Sequence, residues 1–184
     1  NAPDLDILVD DIKINTVPFK YGSNTDYLRF STGNRNMKFR PYGGGANAID
    51  TVLTFEPDKD FSVFVVDEFE QAKVFMIFDD PSPPAAGNCK VRLINLSPDS
   101  DPVQLKIKGV TLPLTVGESF MVASGFMDVS AVPSTFEVLS GGVLVDEIPD
   151  VQLQSGWFYT IIVRGYATPP LGNTNGIETQ VVIN

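Results

Sequence analysis

The chain has 184 residues, a net charge of −10, no histidine and a single cysteine. Its acidity opposes phosphate backbones and anionic membrane surfaces, which argues against a nucleic-acid partner. The lack of histidine removes the commonest general base and zinc ligand, and one thiol cannot form an intramolecular disulfide.

With 43% hydrophobic residues the chain can fill a packed core. Its 15 glycines and 14 prolines lie between short apolar runs, a spacing that suits many strands better than a few helices. No run reaches the length of a membrane span. The sequence opens Asn1-Ala2-Pro3-Asp4 without a methionine, so the lack of a targeting segment carries no weight.

In chain order, the first predicted strand is Leu5–Val9, closed by the turn signal Asp10-Asp11. Alternation then predicts strands over Asp26–Phe30 and Asn36–Arg40, with Asn34-Arg35-Asn36 closing a hairpin between them. Tyr42-Gly43-Gly44-Gly45 reads as a hairpin loop; no Gly-Lys-Ser/Thr follows it, which excludes a phosphate cradle. Strands Thr51–Phe55, Phe61–Val66 and Lys73–Phe78 complete the first half. Residues 81–88, rich in proline, read as a stiff linker. In the second half, strands are expected over Lys90–Leu96, Val103–Ile107, Phe120–Val122, Thr135–Leu139, Gly142–Val145, Trp157–Val163 and Glu178–Ile183. Cys89, beside the first of these, reads as a strand residue rather than a nucleophile.

The halves overlay. Pro3-Asp4 matches Pro98-Asp99, Pro18 matches Pro113 and Gly22 matches Gly117, all at a shift of 95. Phe39 matches Phe136 and Phe61 matches Phe158 at 97, and Phe78 falls on Ile183 at 105. The expectation is an all-β protein of two tandem immunoglobulin-like antiparallel β-sandwich domains: 1–80, a linker 81–88, and 89–184. The strand Lys90–Leu96 has no counterpart ahead of Pro3-Asp4: either it is trimmed away ahead of Asn1, or that sheet edge of the first domain is open or filled by another chain.

The run Val91-Arg92-Leu93-Ile94-Asn95-Leu96-Ser97-Pro98-Asp99 resembles the opening strand and turn of the domain-of-unknown-function family 4397 of bacterial envelope proteins. Val116-Gly117-Glu118-Ser119, Ser124-Gly125 and Phe158–Gly165 extend the likeness, as do Tyr21-Gly22-Ser23 and Asp26-Tyr27 in the first half. The first half departs from it in the missing opening strand and in Phe61-Ser62-Val63, where the family shows an aromatic-Thr pair. The resemblance implies tandem β-sandwich repeats, export, and a lipid anchor on a cysteine of the precursor, at the outer membrane or cell surface. It implies no activity.

Acidic clusters are the chief candidates for chemistry. Asp4, Asp6, Asp10 and Asp11 are close in sequence, as are Asp67, Glu68 and Glu70. If the linker folds back, Asp79, Asp80, Asp99 and Asp101 converge as a calcium site, since calcium takes six to eight oxygens; the plainer reading is solvated turn carboxylates. Paired carboxylates also raise glycoside hydrolysis as an alternative. No catalytic residue and no organic cofactor are assigned. For ligand contact, Tyr27, Arg35 and Tyr42 are candidates at one sandwich end, and Trp157 with Tyr159 on one face of its strand, against a plainer reading of surface decoration and core packing. The expected role is a non-catalytic structural or adhesive binding module for a protein or glycan, with a glycan-binding accessory module as the rival.

Overall fold

In the computed structural model, residues 3–79 and 82–184 are described, and the chain forms two compact units, 1–81 and 82–184. The protein is all-β. Unit 1 runs β1 (Leu5–Val9), β2 (Ile12–Lys13), β3 (Gly33–Pro41), β4 (Ile49–Phe55), β5 (Asp60–Val66) and β6 (Lys73–Asp79), with a single 3₁₀ turn at Phe69–Gln71. One sheet has the order β2-β1-β3-β4, and β5 pairs with β6 in a second. Val9 pairs with Ile12 across the two-residue turn Asp10-Asp11, both at positive φ, the left-handed geometry that tight hairpins need. Period-two alternation then puts Ile7, Val9, Met37, Phe39 and Ile49 into one core, with Val63, Val65 and Val74 packed against it from the second sheet.

Unit 2 runs β7 (Asn88–Asn95), β8 (Val103–Ile107), β9 (Val122–Ala123), β10 (Met127–Ser130), β11 (Ser134–Ser140), β12 (Val143–Val151), β13 (Phe158–Arg164) and β14 (Glu178–Ile183). One sheet has the order β10-β7-β13-β14, with β9 also on β7; the other has the order β12-β11-β8. Val91, Leu93, Ile161 and Val163 meet Val103, Leu105, Phe136 and Val138, all fully buried. One pair departs from antiparallel expectation: β7 and β13 run parallel, joined through the whole intervening chain rather than a hairpin. Pro149 sits in β12, which is tolerated because β12 is an edge strand.

The units share five strands in order: β1, β3, β4, β5 and β6 match β8, β11, β12, β13 and β14. Local bonding fixes the register. Leu5 exchanges two backbone hydrogen bonds with Phe19, and Val103 does so with Glu118. The Ile7 N–H donates to Asn15 Oδ1 at 2.7 Å and the Leu105 N–H to Thr115 Oγ1 at 2.9 Å. Leu5 therefore stands where Val103 does, a shift of 98. That register replaces several sequence matches: Asp4 corresponds to Pro102 rather than Asp99, Met37 to Phe136, Phe39 to Val138, and Phe61 to Tyr159. The sequence matches align like residues, whereas pairing and core-facing side chains define the true equivalence.

Other expectations change. Asp26–Phe30 forms no strand; it is exposed chain whose alternation has no neighbour to pair with. Asn34–Asn36 lies inside β3 rather than closing a hairpin. Met121, at positive φ, interrupts Phe120–Val122, so only Val122–Ala123 pairs. Near the start of unit 2, the Ala85 N–H donates to Asp128 Oδ1 at 2.8 Å and the Ala131 N–H to the Gly87 carbonyl, which ties this proline-rich stretch to β10.

Candidate binding groove on unit 1

A groove of about 250 Å³ lies at the β1–β2 tip, lined by Val9, Asp10, Ile12, Ile14, Arg29, Phe30, Ser31 and Arg35. The hairpin turn carries Asp10 outward. Its carboxylate accepts from the Asn36 N–H at 2.9 Å and from Arg35 Nη1 at 3.1 Å, and these two contacts hold its pKa below the ordinary 3.8. Arg35 also donates from Nε to the Ser31 carbonyl at 2.8 Å and from Nη2 to the Thr32 carbonyl at 2.6 Å. One guanidinium fork thereby fixes the loop that bears Arg29 and Phe30.

Phe30 is anchored from behind. Its ring lies 5.8 Å from Phe55, which meets Phe61 edge-on at 5.6 Å, and Phe61 meets Phe78 at 6.1 Å. Tyr27 secures the same loop by donating its hydroxyl to Asp79 at 2.8 Å; Ser62 donates to that carboxylate oxygen at 2.7 Å. The groove wall is thus held rigidly, while Ile12 remains 70% exposed and Phe30 37%. Arg29 lines the opening and bonds to none of the described residues.

Of the residues expected at a ligand surface, Arg35 lines this groove and Tyr27 braces its loop. Tyr42 lies exposed on unit 1 with the Lys13 ammonium 4.2 Å over its ring, so one ring face is taken. Trp157 is half-exposed on unit 2. Tyr159 is not on the surface: it is 2% exposed, and its hydroxyl accepts from the Gln154 N–H and donates to the Gln152 carbonyl. Alternation fixes which residues share a face but not which face is core; here the strand begins after Trp157, and Tyr159 points inward with Ile161 and Val163.

The four residues expected as calcium ligands are placed as follows. Asp79 belongs to unit 1 as above. Asp99 accepts from the Ala167 and Thr168 N–H groups at 2.7 and 2.8 Å, fixing the turn after β13, and Asp101 packs against Gly141. Asp80 lies outside the described residues. Among the described residues no three carboxylates or thiols converge as a metal site. Sequence reading missed Ile12, Arg29 and Phe30, since nothing in Asp26–Phe30 distinguishes a displayed loop from a half-buried strand.

The family model of DUF4397, a domain of unknown function, matches residues 1–106. The chain belongs to the DUF4397 family. The matched span takes in unit 1, β7 and most of β8. No curated protein matches the chain. No helix among the described residues of this DUF4397 protein is long and apolar enough to cross a membrane.

Proposed function

We propose that this DUF4397 protein is a non-catalytic binding module of the bacterial cell envelope, exported and lipid-anchored in its precursor, whose ligand seat is the groove of unit 1. The observation that carries this reading is the Arg29 guanidinium, which bonds to none of the described residues, beside exposed Ile12 of β2 and exposed Phe30 on a loop braced by Arg35 and Tyr27. Exposed apolar side chains rimmed by polar ones mark contact surfaces, and aromatics and arginine are enriched there. The matching ligand is a protein segment that presents an apolar side chain next to a carboxylate.

The test screens the purified chain against immobilised host-protein and glycan arrays, with Ile12→Asp and Arg29→Ala variants alongside. Protein hits that weaken at least about tenfold in both variants support the reading. Hits indifferent to both variants remove the groove as the seat. The rival glycan reading rests on half-exposed Trp157, and glycan hits abolished by Trp157→Ala would establish it instead.

A further inference from the structure

β4 ends the four-stranded sheet of unit 1 and pairs with β3 alone among the described residues. Its backbone bonds fix which groups face outward. Asn36 gives its carbonyl to the Asp10 N–H on the β1 side, so by alternation Met37 and Phe39 turn theirs toward β4, where Phe39 accepts from the Ala48 N–H. Their partners Thr51 and Ile49 face β3 in return. The N–H and carbonyl groups of Asp50, Val52 and Thr54 are thereby directed at the free edge.

Unit 2 guards the equivalent edge. There β12 carries Pro149, and its pairing with β11 shifts register twice, both of which keep an edge strand from taking a further neighbour. β4 has neither device. It holds no proline and runs against β3 from Gly33 opposite Phe55 to Phe39 opposite Ile49 without a shift. Its middle residue, Val52, is 57% exposed on the face away from the core. Asp50 is the one charge on the strand, and it is answered within its own copy by Asn36 at 2.8 Å and Lys38 at 3.6 Å.

About Val52 this edge is its own complement. We propose that β4 pairs antiparallel with β4 of a second copy of the chain, across a two-fold axis at Val52. In that register Val52 faces its own counterpart, Asp50 faces Thr54 and Thr51 faces Leu53. No two charges meet, the exposed valines cover each other, and the edge residues of each copy exchange their N–H and carbonyl groups pairwise. The β1–β2 hairpin that bears the groove lies on the opposite edge of the same sheet. The joined sheet therefore carries a groove hairpin at each outer end, and a multivalent ligand can engage both at once. A single strand pair is a small contact, so the dimer forms and parts with concentration.

Sedimentation from about 10 μM to about 1 mM tests this on the 184-residue chain, on Val52→Lys and Val52→Glu separately, and on the two variants mixed in equal amounts. The mass of the unaltered chain is expected to rise from 20.0 kDa toward twice that value. Each variant alone is expected to stay monomeric, because position 52 then meets its own charge across the axis, and the mixture is expected to regain the dimer. Regained pairing also shows that both variants fold. An unaltered chain that remains monomeric over the whole range overturns the proposal. So does a dimer that persists in both variants, because another surface then joins the copies. Loss of the dimer in both variants without recovery on mixing overturns it too, since position 52 then does not face itself.

Discussion

The Arg35 guanidinium and the Asp10 carboxylate, 3.1 Å apart, join the turn of the β1–β2 hairpin to the start of β3. Because the same guanidinium also holds the Ser31 and Thr32 carbonyls, Arg35→Ala releases both sides of the groove at once. Exchange of the amides in 29–32 is expected to accelerate at least about tenfold while that of β3 and β4 stays within about twofold. Arg35→Lys is expected to restore little, since an ammonium cannot present a planar fork to three acceptors. Unchanged exchange in Arg35→Ala would show that the aromatic chain from Phe30 to Phe78 suffices to hold the loop.

Acid should act on the same turn. Asp10 is lowered from 3.8, chiefly by the Asn36 N–H and then by Arg35, and Asp50 is lowered by Asn36 and Lys38. A carboxylate that holds its proton less firmly when folded stabilises the fold above the unfolded value, and that contribution disappears as pH falls through the lowered folded value. Asp10→Asn is therefore expected to reduce the urea midpoint at about pH 6, and the difference from wild type is expected to shrink progressively as pH is taken below the ordinary carboxylate value. A gap that persists in acid would mean that the substituted amide disrupts the positive-φ turn itself.

Much of the fold was legible because strands announce themselves by alternation. Ile7, Val9, Leu105 and Ile161 all fall where period two places core residues. The limits are equally physical. Asp26–Phe30 alternates yet has no paired neighbour, and pairing is a property of the whole chain. Matching Phe61 to Phe158 misses by one residue, enough to exchange core face for outer face; only the bonded register with β6 and β14 reveals Tyr159 as the equivalent. The groove residues were hidden for a related reason: the exposure of Ile12 and Phe30 depends on what the 14–32 connection leaves uncovered, and their residue types alone predict burial.

Glu118 should respond to pH in the opposite sense from Asp10. It is 7% exposed, and burial raises its pKa above the ordinary 4.5. The unfolded chain gives up this proton more readily than the folded one, so stability falls as pH rises from the ordinary value through the raised one. Glu118→Gln retains the backbone pairing with Val103 and removes the buried charge. The variant is expected to unfold at higher urea than wild type at about pH 7, with the advantage gone below about pH 4. A variant less stable at both values would show that the carboxylate has a bonding role.

Phe136 is fully buried in the core of unit 2, in one cluster with Val138, Leu105 and the β13 residues Tyr159, Ile161 and Val163. Phe136→Ala leaves a cavity that close packing cannot collapse, and a loss of about 3–5 kcal/mol is expected. Trp157, the only tryptophan, immediately precedes β13 in the same unit, so its fluorescence reads this loss directly in urea. A loss below about 1 kcal/mol would mean that the core of unit 2 repacks freely around position 136.

Cys89 offers a probe of how β10 opens. It is fully buried, burial raises its thiol pKa, and its backbone pairs with Val129 while Sγ lies 3.5 Å from the Val129 carbonyl. A protonated, enclosed thiol reacts only when its cover lifts. If exposure requires unfolding at about 5 kcal/mol, labelling by a thiol reagent should run a few thousand-fold slower (~10³–10⁴) than in denatured chain. But β10 has only four residues, and Asp128 pins it by accepting from the Ala85 N–H and pairing with Lys90. Asp128→Ala is therefore expected to speed labelling at least about tenfold without moving the Trp157 urea midpoint by more than experimental error, the signature of a strand fraying on its own. If labelling and midpoint shift together, β10 opens only with the rest of unit 2, and the contacts of Asp128 stabilise the whole unit rather than its edge.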